Sequence, residues 1–373
     1  MRKILFFSPT GFIGGAERNL INMCRYLPKD KYEPIVVLPE EGLLPQTLRK
    51  LNIKTIFFRK YFLHSGQIFN VLMGCYLLWK ELKHEKIDII HTNSIFSLYL
   101  PIYYGKIFRI PVFVHWADYD VRAGDRQAVN LFGRNTTVLA VSKSIYQTLV
   151  ENGVQEKTLK LLFNGVEEPR IDQAETKQEF LARINAGAGD ILLGITGRID
   201  SWKGHIYAFQ ALAKLHNKKL KLIVLGDFHT AKNKDLRSNL ENFIKEHDLQ
   251  SQIIFLGFAE NPAHIITHLD IVLIPSEYEP FGLVAIEAMA LKKPVIASDV
   301  GGLREIIINN KTGILVPAKN ATALAKAIQE LTDKPELGIQ FGEKGYFQYK
   351  NEFCMKRFIA NLENIYEQRQ KQR

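Results

Sequence analysis

The sequence predicts an α/β protein made of two doubly wound parallel sheets, one in each half of the chain. Short apolar runs alternate with longer amphipathic stretches along nearly the whole length, and strands that alternate with helices pair in parallel with both faces covered. The length of 373 residues, at roughly 150 residues per domain, leaves room for two or three domains. The alternation lapses over Glu167–Lys177, where Glu-Glu-Pro-Arg-Ile-Asp-Gln-Ala-Glu-Thr-Lys reads as a linker.

In the first half the strand-like runs are Lys3–Phe7, Pro34–Leu38, Thr55–Phe58, Asp88–His91, Val112–His115, Val138–Val141 and Leu159–Phe163. Helical stretches such as Ala16–Tyr26 and Gln67–Lys83 lie between them. The second half repeats the rhythm with Ile191–Thr196, Leu220–Leu225, Ile253–Leu256, Ile271–Ile274, Val295–Ala297 and Gly313–Val316. From Gly342 to Arg373 the pattern is helical with no further strand. The expected domains are residues 1–168 and 178–345, with 346–373 as a helical tail. Ligands of open parallel sheets bind beyond the carboxyl ends of the strands, so two such sheets facing each other are expected to enclose a cleft.

The composition, 46% hydrophobic and 24% charged, excludes disordered and fibrous classes. Cys24, Cys75 and Cys354 are too few and scattered for a disulfide framework or a zinc cluster, and read as thiols of a reducing compartment. The start, Met1-Arg2-Lys3 before Ile4–Phe7, resembles a leader only faintly, because no small-residue cleavage site follows Ser8-Pro9. The most apolar stretch, Ile68–Trp79, falls short of the roughly 20 residues a spanning helix needs. A soluble or peripheral protein, cytoplasmic or at the inner face of a membrane, is the expectation. The charge is uneven. Residues 1–165 hold 22 Lys and Arg against 13 Asp and Glu, while 166–373 hold 27 against 26. A basic first half suits an anionic partner, which is a membrane surface, a nucleic acid or an anionic substrate.

The most specific stretch runs from Pro275 to Ala290, Pro-Ser-Glu-Tyr-Glu-Pro-Phe-Gly-Leu-Val-Ala-Ile-Glu-Ala-Met-Ala. It follows a strand and opens a helix. Pro280 suits a first helical turn, and Gly282 leaves room for close approach to the backbone. A helix N-terminus offers free N–H groups and a partial positive charge to a phosphate. Glu279 before it and Glu287 within it flank that anion position, a layout that fits the sugar and ribose hydroxyls on either side of a nucleotide-sugar diphosphate. A capping Glu279 and a solvated Glu287 fit the spacing as well.

With four further stretches this one resembles glycosyltransferase family 4, whose members are retaining, nucleotide-sugar-dependent enzymes of the GT-B fold. Glu279 and Glu287, seven residues between them, match the family's paired glutamates. Gly14-Gly15-Ala16-Glu17, Asn164-Gly165-Val166, the run Gly197-Arg198-Ile199-Asp200-Ser201-Trp202-Lys203-Gly204 and Gly301-Gly302-Leu303-Arg304-Glu305 follow in the family's order.

The resemblance implies that Glu279 holds hydroxyls of the transferred sugar and Glu287 those of the ribose. The amides of Phe281, Gly282 and Leu283 would reach the sugar and diphosphate. Arg198 and Lys203 would neutralise the leaving diphosphate without a metal, Arg as a planar fork and Lys as a point charge. Phe258 would lie beside the base, His115 near the reacting carbon, and Gly14 and Gly15 would bring backbone N–H groups to phosphate or acceptor. Glu305 would sit toward the nucleotide. Each residue has a plainer role open to it: surface charge for Arg198 and Lys203, packing for Phe258, a satisfied core histidine for His115, a turn for Gly14-Gly15, and N-terminal charge compensation for Glu305. The implied donor is a nucleotide sugar, with UDP-sugars and UDP-glucose foremost, and no cofactor or metal ligand set is expected. The acceptor would be a glycan or lipid-linked glycan rather than a nucleic acid, and the C-terminal helices would return to the first domain.

Asp118-Tyr119-Asp120 has the form of a metal–diphosphate motif of another glycosyltransferase fold, but it sits beyond the strand that supplies His115. His91 to Ser94 can line the acceptor side or cap a loop. A nucleotide-sugar epimerase lacks any acid–base motif here, and a degenerate binding scaffold would have lost Glu279, Arg198 or Lys203. A dinucleotide-dependent oxidoreductase lacks its Gly-x-Gly-x-x-Gly. Near Lys80, Lys83 and Lys86 the apolar stretch Gln67–Trp79 suits an anionic lipid surface. The alternative is that Ile68, Val71, Leu72, Tyr76 and Leu77 all face the core.

Overall fold

Four consecutive buried residues, Ile4 to Phe7, close the strand β1 (Arg2–Phe7), the mark of a strand covered on both faces. In the computed structural model, which describes residues 1–59, 67–169, 171, 175–228, 234–259 and 261–371, six strands join it: β2 (Tyr32–Leu38), β3 (Lys54–Phe57), β4 (Ile87–Thr92), β5 (Val112–Trp116), β6 (Thr136–Ala140) and β7 (Leu159–Leu161). Their order is β3-β2-β1-β4-β5-β6-β7, and every pairing is parallel. The second sheet holds β8 (Ile191–Thr196), β9 (Leu220–Leu225), β10 (Ile253–Gly257), β11 (Ile271–Ile274), β12 (Val295–Ser298) and β13 (Ile314–Val316). Its order is β10-β9-β8-β11-β12-β13, again all parallel. The expected fold class is the observed one, and the strands depart from the sequence reading only at their ends.

Strand order reverses between β1 and β4 in the first sheet and between β8 and β11 in the second. At such a switch the loops leaving two adjacent strands turn to opposite faces and leave a crevice.

The chain divides into two units, one of residues 1–167 with 355–373 and one of residues 168–354. The core of the first is built from Ile4, Phe6, Leu20, Val36 and Phe113, joined by Phe358, Leu362 and Tyr366 of the helix Met355–Lys371. The tail therefore starts nine residues later than position 346. Residues 346–354 stay with the second unit because Phe353 is fully buried and its ring lies 6.3 Å from Phe281. Gly342 assists this placement: a Cβ there would fall 2.0 Å from the Lys292 carbonyl oxygen, so only glycine lets the helix Pro335–Gln348 lie so close. Of the linker expected at 167–177, Arg170 and residues 172–174 lie outside the described residues, as does Lys60 of the basic first half. Among the described residues no helix is long and apolar enough to cross a membrane.

Candidate active site

In the second unit the site is built on the two loops that leave β8 and β11 at the switch point. After β8 the chain turns at Gly197 (φ +128°), makes a short 3-10 turn at Ser201–Lys203, and turns again at Gly204 (φ +72°) into the helix His205–Leu215. A Cβ on Gly204 would stand 2.0 Å from the Pro275 carbonyl oxygen. The position thus needs glycine twice, for its left-handed backbone and for contact with the other loop. The two loops are joined further by the Glu277 N–H, which donates to the Trp202 carbonyl at 2.7 Å, and by the Trp202 and Tyr278 rings, stacked at 4.9 Å.

This junction brings Lys203 and Glu279 together. Lys203 Nζ donates to Glu279 Oε2 at 2.7 Å, with both side chains largely buried. Ser276 Oγ lies 3.4 Å from the same oxygen, and the Lys203 ammonium stands 4.2 Å from the centroid of the Trp202 ring. The Glu279 carbonyl accepts the Gly302 N–H at 2.9 Å, which ties in the Gly301-Gly302 turn. A cation and a carboxylate largely shielded from solvent interact more strongly than a pair on the surface.

The helix after this loop runs Leu283–Ala290, with Gly282 as its N-cap at φ +117°. Pro280 therefore lies three residues before the first helical residue rather than in the first turn, because the left-handed Gly282 interrupts helical geometry. Phe281 is buried against Phe353, Leu283 opens the helix, and Glu287 is half-buried along it. Glu277 carries charge beside this group: Lys319, paired with it at 2.7 Å, and then Tyr207, which donates to it at 2.8 Å, hold its carboxyl below the usual range.

Arg198 leads the first loop, half-exposed, with Nε 2.5 Å from Asp200 Oδ2. Phe258 follows β10 and is 57% exposed, which sets aside a packing role. Glu305 sits in the four-residue helix Leu303–Ile306, where Arg304 turns to Asp299 at 2.7 Å.

In the first unit, Gly14 is the N-cap of the helix Gly15–Tyr26 and its N–H donates to Glu17 Oε2 at 3.0 Å. Burial raises the Glu17 carboxyl above its ordinary range. His115 on β5 is 3% exposed. Its Nε2 lies 2.8 Å from Asn164 Oδ1 and 3.4 Å from Asn19 Nδ2, and Asn19 Nδ2 donates to the same Asn164 oxygen at 3.1 Å. Nδ1 is buried without a hydrogen-bond partner, and burial lowers the imidazole to about 4. The ring is neutral at physiological pH, with one nitrogen engaged and the other enclosed.

In the stretch His91 to Ser94, Ser94 caps the short 3-10 turn Ile95–Ser97 by accepting the Phe96 N–H, and His91 turns inward. It is fully buried, with Nδ1 2.6 Å from the Tyr366 hydroxyl and its ring stacked 5.7 Å from His115. In Asp118-Tyr119-Asp120, Asp118 Oδ1 accepts the Asp120 N–H at 3.0 Å, an Asx turn. Sequence reasoning missed Ser276, the Trp202–Tyr278 stack, and the roles of Asn19, Asn164 and Tyr366. Asn164-Gly165-Val166 was the available signal for one of them. Tyr366 left none, since it meets His91 across 275 residues of sequence.

Two all-parallel sheets, one in each unit, with helices between their strands are the architecture of GT-B glycosyltransferases. A family described as Glycosyltransferase Family 4 matches residues 13–170, and one described as Glycosyl transferases group 1 matches residues 176–348. The chain belongs to the family 4 type of glycosyltransferases. An uncharacterized glycosyltransferase of Methanocaldococcus jannaschii is 30% identical over 268 residues, 66% of each chain. The N-acetyl-alpha-D-glucosaminyl L-malate synthase of Bacillus anthracis is 28% identical over 298 residues, 76% of this chain and 75% of that one. Among solved structures, a glycosyltransferase of Rickettsia africae superposes with a TM-score of 0.89 at 24% identity, covering 99% of both chains. Anabaena HepE in complex with UDP-glucose gives 0.85 at 23% identity, covering 99% of this chain and all of that one.

Proposed function

We propose that this protein is a retaining hexosyltransferase that takes its sugar from a UDP-sugar, UDP-glucose first among them, and passes it to a glycan or lipid-linked glycan during polysaccharide or glycolipid synthesis. The observation that carries the reading is the Lys203–Glu279 pair at 2.7 Å over the β8/β11 switch point. Lys203 and Arg198 meet the diphosphate, and Glu279 meets hydroxyls of the sugar. Glu287 takes the ribose hydroxyls, Phe258 lies along the base, and the amides of Phe281, Gly282 and Leu283 reach the sugar and diphosphate. On the first unit the amides of Gly14 and Gly15 serve phosphate or acceptor, and His115, neutral and held by Asn164, shapes the wall near the reacting carbon.

In the reaction the bond from the anomeric carbon to the diphosphate oxygen breaks and a bond to the acceptor oxygen forms on the same face. The leaving phosphate receives the acceptor's proton. No side chain is asked to form a covalent intermediate; catalysis comes from positioning and from stabilising charge on the leaving phosphate. The two cations do the work a divalent metal does elsewhere. The UDP-sugar assignment draws support from the UDP and UDP-glucose in the HepE complexes. The lipid-linked acceptor draws support from a Campylobacter jejuni relative, 26% identical over 209 residues, whose name specifies a diphospho-undecaprenol glycan. Such an acceptor places the enzyme peripherally at an anionic membrane.

The test is a panel of nucleotide sugars, with released nucleotide and hydrolysed sugar read by mass spectrometry and the anomer of the product by NMR. Slow hydrolysis of one UDP-sugar with retained configuration is expected, and lost in Glu279→Ala. Hydrolysis of none, with no nucleotide sugar bound, overturns the reading.

A further inference from the structure

The helix Ile68–Leu82 carries apolar residues on both its inner and its outer side, yet it is not enclosed. Asn70, Val71, Gly74, Cys75, Leu78 and Leu82 face the interior of the first unit. The opposite side presents Ile68, Phe69, Leu72, Met73, Tyr76 and Trp79, with Phe69 72% and Tyr76 55% exposed. At 3.6 residues per turn these six side chains fall within an arc of about 140°. A helix with apolar residues on both sides is ordinarily a core element or one in contact with lipid, and a single contiguous exposed patch of this kind marks an interaction surface. Of the residues the sequence could have assigned wholly to the core, Ile68, Leu72 and Tyr76 are on the outside.

Charge identifies the occupant. Lys80 and Lys83 continue the same arc at the helix's carboxyl end, with no acidic residue within it. The helix Tyr99–Phe108 packs beside this one and adds exposed Ile107 and Phe108 next to Lys106. Lys80, Lys83 and Lys106 form no ion pair with any described residue. A protein partner with an apolar groove would explain the aromatic residues but not cations left open at the edge. Tyr76 and Trp79, with rings 6.2 Å apart, have the amphipathic character that settles at a headgroup boundary.

We propose that the outer face of the Ile68–Leu82 helix, extended by Ile107 and Phe108, is the surface by which this protein docks on an anionic lipid bilayer. The helix lies in the plane of the interface, its aromatic arc enters the headgroup–acyl boundary, and Lys80, Lys83 and Lys106 meet lipid phosphates. This deepens the lipid-linked acceptor reading, but the docking is measured independently of it.

The experiment is co-sedimentation of the full chain with vesicles of phosphatidylglycerol and phosphatidylcholine, or of phosphatidylcholine alone, at low and at moderate salt. Binding to the anionic vesicles at low salt, weakened by salt, is expected. Combining Leu72→Ser, Tyr76→Ser and Trp79→Ser lowers affinity at least tenfold. Each of Lys80→Glu, Lys83→Glu and Lys106→Glu lowers it about fivefold or more. Brominated lipid quenches the tryptophan emission of the wild type and not of Trp79→Phe. No binding to anionic vesicles, or binding the triple serine variant retains, overturns the proposal. So does a dimer in solution that this variant dissociates, since a second copy would then cover the face. UDP-sugar hydrolysis without vesicles is followed in parallel: if it is absent while docking persists, the donor reading fails and the surface stands.

Discussion

Lys203 Nζ and Glu279 Oε2 lie 2.7 Å apart although 76 residues separate them in the chain. They meet because β8 and β11 are neighbours in the sheet and their loops are pinned to each other at Gly204 and Pro275. If the pair acts as one unit on the sugar diphosphate, its members are not independent. Glu279→Ala is expected to lower kcat by about 10² or more with a smaller change in KM, as for a contact that strengthens in the transition state. Lys203→Ala should show a comparable loss. The double variant should fall well short of the product of the two, with a coupling of about 1–3 kcal/mol. Steady-state kinetics on the four proteins, with circular dichroism to show that they fold, decides the matter. Losses that multiply would mean separate roles.

Arg198 pairs with Asp200 at 2.5 Å and remains half-exposed, so removing it leaves the fold intact and acts on the ligand. Arg198→Ala should weaken UDP binding about tenfold or more, in line with roughly 1.5–3 kcal/mol for a charge-assisted phosphate contact. Calorimetry measures it. If Arg198 and Lys203 serve the leaving diphosphate as proposed, activity persists in EDTA. Complete loss restored by Mn²⁺ would return attention to Asp118 and Asp120.

Glycine 204 tests the scaffold rather than the chemistry. With φ +72° and a Cβ that would fall 2.0 Å from the Pro275 carbonyl oxygen, Gly204→Ala cannot be absorbed by a flexible side chain. It should cost about 1–3 kcal/mol in stability and move Lys203 away from Glu279, so that kcat falls as well. Gly189→Ala, with no heavy atom within 4 Å of its Cβ, is the control. Equal urea midpoints for the two variants would refute the argument.

The buried histidines give the fold a pH limit. Burial lowers His115 and His205 from 6.5 to about 4, and holds His91 well below its ordinary value. Between the folded and the ordinary value the unfolded chain binds the extra proton, so stability rises with pH there. The contribution is complete above about pH 6.5 and is lost as pH falls toward 4. For His115 alone this is on the order of 3 kcal/mol, at about 1.4 kcal/mol per pH unit. Urea denaturation from pH 7 to 4.5 should show steep loss, and His115→Gln should flatten the slope by about one proton. An unchanged slope in that variant would show that His115 does not carry the linkage.

The local sequence determined the strands, their parallel pairing and the candidate residues on the loops that follow them. A parallel sheet buried on both faces writes itself as continuous apolar runs, and loops that hold phosphate need glycine and charge at fixed spacing. It also placed Arg198, Lys203, Glu279 and Gly282 on loops after strands, because those residues are contiguous with the strands that carry them. Only the tertiary structure decided which of them meet. Lys203 finds Glu279 through the adjacency of β8 and β11, and His91 finds Tyr366 because the last helix returns to the first unit. The start of the Leu283–Ala290 helix waited on the backbone of Gly282, whose left-handed φ no neighbouring residue announces. The helix Ile68–Leu82 is the clearest case: when both faces of a helix are apolar, periodicity carries no information about which one is buried, and that choice belongs to the packing of the sheet beneath it.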